Sequence, residues 1–341
     1  MNPQLLAVMQ AQAGVFSTQQ AAAAGIDRDD LAAAVRHGMV VRVRRNVFTT
    51  AVLWNDGPVT QHRLEVAAAL LNRGWLPEVT ERLVAGHRSA ACLWGFHLPW
   101  ALVGEPDQEA YRQASLGGET PPGPSEVELV SADRCKRTYR AHVSVMPAQL
   151  PASHLTHHQG VPVTTLARTA VDLMRESNRK NGLIVADQAL RLGCPQPDLI
   201  EVAEFCAGWR GGKQALELAQ IADAGAESAN ESVARLILHD AGYRGYRTQH
   251  RIVDRAGRER RLDIALIELW VDIEPDGRVK YERPHGELSA VLWDEKIRED
   301  DIRDVGWEVV RPTHEELHHA EARFLAKVEA AAARARLRHA S

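Results

Sequence analysis

The sequence is short of several things, and each shortage narrows the field. No apolar run approaches the ~18–20 residues that a membrane-spanning helix requires, so no membrane contact is expected. The opening MNPQLLAVMQ lacks a basic stretch followed by an apolar one, which argues against a secretory signal and for a cytoplasmic protein. Only four cysteines occur (Cys92, Cys135, Cys194 and Cys206), and none stands in a CxxC pair. That spacing excludes a zinc ribbon or a thioredoxin-like site, and the four read as reduced core residues. Positive charge is not in excess either: 41 Lys and Arg against 45 Asp and Glu leave a formal net charge of −4. Such a chain does not coat nucleic acid, so any contact with it must come from a local patch. No internal repeat is visible.

What remains is the composition of an ordinary globular chain, 45% hydrophobic and 25% charged. Its 341 residues are too many for one core, so two or three domains are expected. The first fifty residues read as three short helices and a hairpin. Leu5, Leu6 and Met9 lie at helical spacing. Ser17-Thr18-Gln19-Gln20 is a capping box that opens a second helix through Ala24. Asp27 can cap a third, Arg28 to His37, which Gly38 stops. Val40 to Thr49 alternates with period two, Val41 and Val43 against Arg42 and Arg44, and turns at Arg45-Asn46. This is the order of a winged helix-turn-helix, in which the third helix enters the major groove and the hairpin meets the backbone. Arg28 and Arg36 on that helix, and Arg42, Arg44 and Arg45 on the hairpin, are the candidate contacts to double-stranded DNA. A guanidinium fork matches phosphate oxygens, and three or four such contacts imply a salt slope of roughly −3. Asp29 and Asp30 beside Arg28 repel phosphate while stabilising the helix start. A protein-binding module with a solvated arginine face is the competing interpretation.

The middle carries helical patterns at Gln61–Asn72, His87–Trp94, Thr165–Met174, Asn181–Leu192 and Pro197–Trp209. Short strands are expected at Glu126–Val130 and His142–Met146, and GGETPPGP (Gly117 to Pro124) must be a loop. The pair His157-His158 cannot face one metal from a helix. Arg168 and Asp172, four apart, read as a structural ion pair.

From Glu227 the pattern changes: a helix to about Ala241, then strands at Arg247–Val253, Arg258–Glu268 and Leu269–Glu274. Pro275-Asp276-Gly277 ends the last of these. A helix over Val291–Val305, a strand over Trp307–Arg311 and an Ala-rich helix over Glu315–Ala340 follow. In a hairpin turning at Glu268-Leu269, Asp263 falls opposite Glu274 and Ala265 opposite Asp272. Any even shift of register keeps the two acids on one face. Unpaired carboxylates across a hairpin repel, and a divalent cation would remove that cost. A magnesium-bound water is then a nucleophile for phosphodiester hydrolysis.

Two resemblances bear on these segments. VFSTQQAAAAGIDRDDLAAAVRHGMVVRVRRNVFTT closely resembles the N-terminal domain of AbiEi-like antitoxins of type IV toxin–antitoxin systems. HRSAACLWGF and VPVTTLARTAVDLMRE resemble the segments that follow it in many such proteins. SANES, RRLDIAL, VDIEPDGRVKY and LWDEKIREDDIRDVGWEVVR resemble the DUF559 family, related to very-short-patch-repair endonucleases within the PD-(D/E)xK nucleases. That resemblance implies Glu231 as the helix acid and Asp263 and Glu274 as metal carboxylates. Glu227 is a substitute for Glu231. Asp276 stands where the motif has lysine, and Lys280 could reach back to the site.

The expected class is therefore α+β multidomain: a winged helix-turn-helix (1–52), a mixed α/β middle region (53–225) and a restriction-endonuclease-like α/β core (226–341). Two functions follow. One is a Mg²⁺- or Mn²⁺-dependent DNA endonuclease. The other is an antitoxin-like autorepressor with an inactive nuclease fold. Its partners would be its operon, a cognate nucleotidyltransferase-like toxin and a second copy in a homodimer.

Overall fold

Local signals set the first elements. In the computed structural model, which describes residues 2–74, 83–99, 102, 113, 124–275 and 296–340, helix α1 (Pro3–Ala11) begins with proline at its first position. There the missing N–H costs nothing. The capping box of α2 (Thr18–Ala23) forms as the sequence predicts: Ser17 Oγ accepts from the Gln20 amide, and Gln20 Oε1 accepts from the Ser17 amide. Asp27 accepts from the Asp29 and Asp30 amides to open α3 (Arg28–Arg36). Strands β2 (Val40–Arg44) and β3 (Val47–Thr50) form the hairpin, and β1 (Phe16–Ser17) completes a sheet of order β1-β3-β2. Leu5, Met9, Phe16, Ala21, Leu31 and Phe48 close a small core between helices and sheet.

The chain divides into two compact units, Met1–Gln220 and Ile221–Ser341, so these first elements share a unit with the middle region. Its second sheet has six strands in the order β6-β7-β5-β4-β9-β8. Beyond the two strands expected, β5 (Val127–Ser131) and β7 (Val143–Pro147), it contains β4 (Leu83–Ala85), β6 (Thr138–Arg140), β8 (Leu155–His158) and β9 (Val161–Thr164). The β8–β9 hairpin turns at Gln159-Gly160, both left-handed. Pro162 inside β9 disguises it, since proline usually marks the end of a ladder.

Helices α4 (Ala51–Trp54), α5 (Pro58–Leu71), α6 (His87–Trp94), α7 (Leu166–Glu176), α8 (Arg179–Arg191), α9 (Gln196–Phe205) and α10 (Gly212–Ile221) complete the order. The Arg168–Asp172 pair forms at 2.8 Å with both side chains buried. The expected loop over 117–124 lies outside the described residues apart from Pro124. The cysteines correct one expectation: Cys194 and Cys206 are buried, but Cys92 is only intermediate and Cys135 is exposed. Cys135 sits in the exposed run 132–142, where there is no core to enter.

In the second unit, α11 (Ala229–Asp240) precedes a sheet of order β10-β11-β12-β13, built from Tyr246–Val253, Glu259–Leu266, Val271–Ile273 and Glu308–Val310. The first three strands are antiparallel and β13 runs parallel to β12. Helix α12, covering 296–304, lies between β12 and β13 in sequence, as a parallel crossover demands. Two boundaries differ from the sequence reading. The β11–β12 turn spends Ile267–Leu269 in a 3-10 turn and Trp270 in the left-handed region, which shortens both strands. The terminal helix is not continuous: a capped turn α13 (His314–His318) is followed by α14 (Glu321–His339), with His319 and Ala320 off helical geometry. The break lets Lys327 reach back to Glu316 at 2.6 Å, while Phe324, Val328, Ala331, Ala332 and Ala335 face inward. Alanine content signals helix but not direction.

Candidate functional site

Two places in the molecule concentrate functional chemistry, one in each unit. The first is the arginine-bearing hairpin. Arg28, Arg36, Arg42 and Arg45 are exposed. Arg42 lies over the Phe48 ring at 5.5 Å, which holds its guanidinium against the sheet. Arg44 is placed differently. A register shift between Arg42 and Arg44 turns it inward. Its Nε donates to the Glu65 carbonyl at 3.3 Å and its Nη1 to the Ala141 carbonyl at 2.9 Å. Burial pulls its pKa down, against the pull of the Glu65 carboxylate. Asn72 Nδ2 donates to the Arg45 carbonyl at 3.1 Å, so α5 also holds the turn. The hairpin is thus strapped to the middle region, with Arg44 as the strap and Arg42 and Arg45 facing outward.

The second place is an acid cluster in the C-terminal unit. Ser228 caps α11, and Glu231 at its third position is buried. The Glu231 Oε2 accepts from the Glu227 amide at 2.9 Å and from Gln249 Nε2 at 3.2 Å. Burial raises the Glu231 pKa, the hydrogen bonds with the Glu227 amide and Ser228 oppose the rise, and the Asp263 charge adds to it. Glu227 itself is exposed and makes a two-pronged pair with Arg261, both contacts 2.9 Å. The β11–β12 register pairs Ala265 with Asp272, the even register the hydrophobic alternation predicts. Asp263 therefore lies on the same face as Asp272 and Glu274, and its charge raises the pKa of both. Gln249, opposite Asp263 across β10, has φ 52, a left-handed backbone that interrupts the ladder and directs its side chain to Glu231. Backbone strain of this kind concentrates at sites.

The structure thus brings Glu231, Asp263 and Glu274 into one neighbourhood and adds Asp272. Asp272 is fully buried, and no N–H or hydroxyl donor reaches its carboxylate oxygens; only the Glu274 carboxyl lies within hydrogen-bonding range. Desolvation, then Glu274 and Asp263, push its pKa well up. Glu274 is pushed up by burial but held back by two arginines: Arg298 Nη2 lies 2.8 Å from Oε1 and Arg311 Nη2 2.9 Å from Oε2. Arg311 also pairs with Glu299 on α12 at 3.2 Å. Sequence reading missed the roles of Asp272, Arg298 and Arg311. The signal for Asp272 was its period-two spacing from Glu274; the arginines come from distant segments and carried none. Asp276 and Lys280 lie outside the described residues.

Carboxylate oxygens are the donors a hard divalent cation takes, and the orphaned Asp272 oxygens are groups such an ion would satisfy. Among the described residues, however, no three His, Cys, Asp or Glu side chains stand close enough to form a cation cage. The donor chemistry is right and the described donor set is incomplete. No helix among the described residues is long and apolar enough to cross a membrane.

Fold and sites define a mixed α/β multidomain protein. Residues 3–51 match the family model of the AbiEi antitoxin, a transcriptional regulator. Over 199 residues the chain is 30% identical to uncharacterized proteins Rv2248 and MT2308 of two Mycobacterium tuberculosis strains. The aligned stretch covers 58% of this chain and 72% of each relative. The chain belongs to the family of these mycobacterial proteins.

Proposed function

We propose that the protein is a DNA-binding regulator whose N-terminal helices and hairpin act as a winged helix on double-stranded DNA. The observation that carries this reading is the hairpin: Arg42 and Arg45 project outward from a β-turn fixed by Arg44 and Asn72. A hairpin held in place suits phosphate recognition because little backbone ordering remains to be lost on binding. Arg28 and Arg36 at the two ends of α3 supply further positive charge, and the match to the AbiEi antitoxin model supports the same assignment. In that role the protein would bind its own operator, beside a gene for a nucleotidyltransferase-like toxin, as a homodimer in the cytoplasm. The test is binding of the DNA upstream of its own gene against an unrelated duplex, by fluorescence anisotropy. Tighter binding to the upstream DNA, weakened by Arg42→Gln, is the expected outcome. Equal affinity for the two duplexes would refute a regulator.

A second reading, cleavage of DNA by the C-terminal unit acting as a PD-(D/E)xK endonuclease, is favoured by Asp272, whose orphaned oxygens sit beside Asp263 and Glu274. Asp263 and Glu274, the metal carboxylates that the nuclease resemblance implies, would hold Mg²⁺ or Mn²⁺, with Glu231 steadying the strand opposite through Gln249. Lys280 would reach back to the site in place of the motif lysine, whose position Asp276 occupies. The ion supplies Lewis-acid stabilisation of a phosphodiester under attack. Arg298 and Arg311 compete for Glu274 and neutralise it when no ion is bound. Two readouts test this: a rise in melting temperature on adding Mg²⁺, and nicking of supercoiled DNA, both lost in Asp263→Ala. Neither effect in the wild-type chain would dismiss the reading and leave DNA binding untouched.

A further inference from the structure

The hairpin does not stand alone on its surface. Beside it opens a groove of about 710 Å³ lined by Arg44, Arg45, Asn72, Arg73, Arg134 and Arg140 among others. These arginines come from separate places: the hairpin turn, the residue just past α5, the β5–β6 connection (Arg134) and β6 at the edge of the six-stranded sheet (Arg140). Among the described residues no carboxylate lines the groove; Asp133 adjoins Arg134 in the chain, and Glu65 acts electrostatically on Arg44 while burial raises its pKa. Arg45, Arg134 and Arg140 are exposed. Arg73 donates to the Ala69 carbonyl at 3.0 Å, and its pKa is lowered by burial and by the charges of Arg44, Arg134 and Arg140. In a chain of net charge −4 this is a local concentration of like charge, and it costs stability unless an anion neutralises it.

The groove is built, not incidental. The β6–β7 turn holds Ala141 and His142 at φ 51 and φ 57, a left-handed pair more natural to Asn-Gly. The Ala141 carbonyl of that turn is the one Arg44 binds at 2.9 Å. Hairpin and sheet edge are therefore clamped together, with Arg45 on one bank and Arg140 on the other.

We propose that this groove is a second phosphate-binding surface, in which Arg45, Arg73, Arg134 and Arg140 follow the DNA backbone from the hairpin onto the edge of the middle sheet. The inference rests on the DNA-binding reading and enlarges its footprint. Duplex DNA is the ligand it fits because the charge is continuous with the hairpin and spread over separate elements, where a small anion would need one converging pocket.

The test uses the full chain with Arg134→Gln and Arg140→Gln combined. Both side chains are exposed, so folding is expected to be unchanged, as checked by circular dichroism. The probe is a fluorescent duplex of the region upstream of the gene, titrated over a range of salt. Each lost phosphate contact flattens the salt slope by about 0.9, so the double variant is expected to flatten it by about 1.8. That corresponds to roughly 60-fold weaker binding near 0.1 M salt, converging with wild type near 1 M. Arg191→Gln, an exposed arginine away from the groove, is expected to leave both unchanged. A wild-type slope in the double variant would overturn the groove while leaving the hairpin reading intact. A wild-type chain that binds no duplex at low salt would overturn both.

Discussion

Replacing Asp272 with asparagine should stabilise the C-terminal unit. Asp272 is fully buried with no partner for its oxygens but the Glu274 carboxyl, and Glu274 and Asp263 press negative charge on it. A buried polar group without a partner costs roughly 1–3 kcal/mol, and more when charged. Asparagine keeps the shape, removes the charge and offers an amide donor to the neighbouring carboxylates. A gain of about 2 kcal/mol is expected, roughly 8 °C in melting temperature for a unit of this size. The effect must depend on pH in one direction. A carboxyl with a raised pKa keeps its proton in the folded chain after losing it in the unfolded one. Stability therefore falls as pH climbs from the ordinary carboxylate range, about 4, towards the shifted value. The gain in Asp272→Asn should be large near pH 8 and small near about pH 5. Calorimetry on the full chain at the two pH values reads it directly. A variant less stable than wild type at the higher pH, or a difference indifferent to pH, would refute the claim that this carboxylate is electrostatically strained.

Other perturbations follow from the same reasoning. Burial lowers the His62 pKa to about 4, with its Nε2 2.9 Å from Ser89 Oγ. A folded pKa below the unfolded value means stability is complete above about 6.5 and drains away as pH falls towards 4, on the order of 3 kcal/mol in all; urea melts of His62→Gln should lose that slope. Arg168 is buried, binds Asp172 at 2.8 Å and the Gln149 carbonyl at 2.8 Å, and lies 5.1 Å over Trp209. Arg168→Ala should cost about 3 kcal/mol, measured by urea unfolding, because it removes one of the two arginines that hold the buried Asp172 carboxylate and leaves it to Arg175 at 2.9 Å. Of the four thiols, Cys135 is exposed, whereas burial pushes Cys92 up to about 12 and Cys194 up to about 11. A thiol reagent under native conditions should label Cys135 first, and mass spectrometry should find Cys92 and Cys194 unmodified.

How much of this was legible in the sequence depends on how local each cause was. The Ser17–Gln20 capping box, the Asp27 cap and the Arg45-Asn46 turn are decided within a few residues, and each is where the pattern put it. The Asp263, Asp272 and Glu274 face follows from strand alternation and needs only the correct parity of register. Strands β8 and β9 were hidden by His157-His158 and Pro162, residues whose pairing is decided by neighbours far along the chain. Arg44 shows the same limit more sharply. By alternation it belongs with Arg42 on the outer face, but a register irregularity and two distant carbonyls turn it inward. Glu274 is likewise held by Arg298 and Arg311, which no spacing in the sequence connects to it.

The strap formed by Arg44 has a consequence for any attempt to use the first segment alone. A fragment ending at residue 52, where the composition suggests a boundary, would contain the hairpin but none of Glu65, Asn72 and Ala141, the three residues that fix it. Arg44 would return to solvent with its full charge, and the hairpin would regain motions that the intact unit suppresses. Grafted onto another protein, such a fragment would be stickier towards any polyanion and less discriminating, because the guanidinium released is one the intact chain ties to two carbonyls.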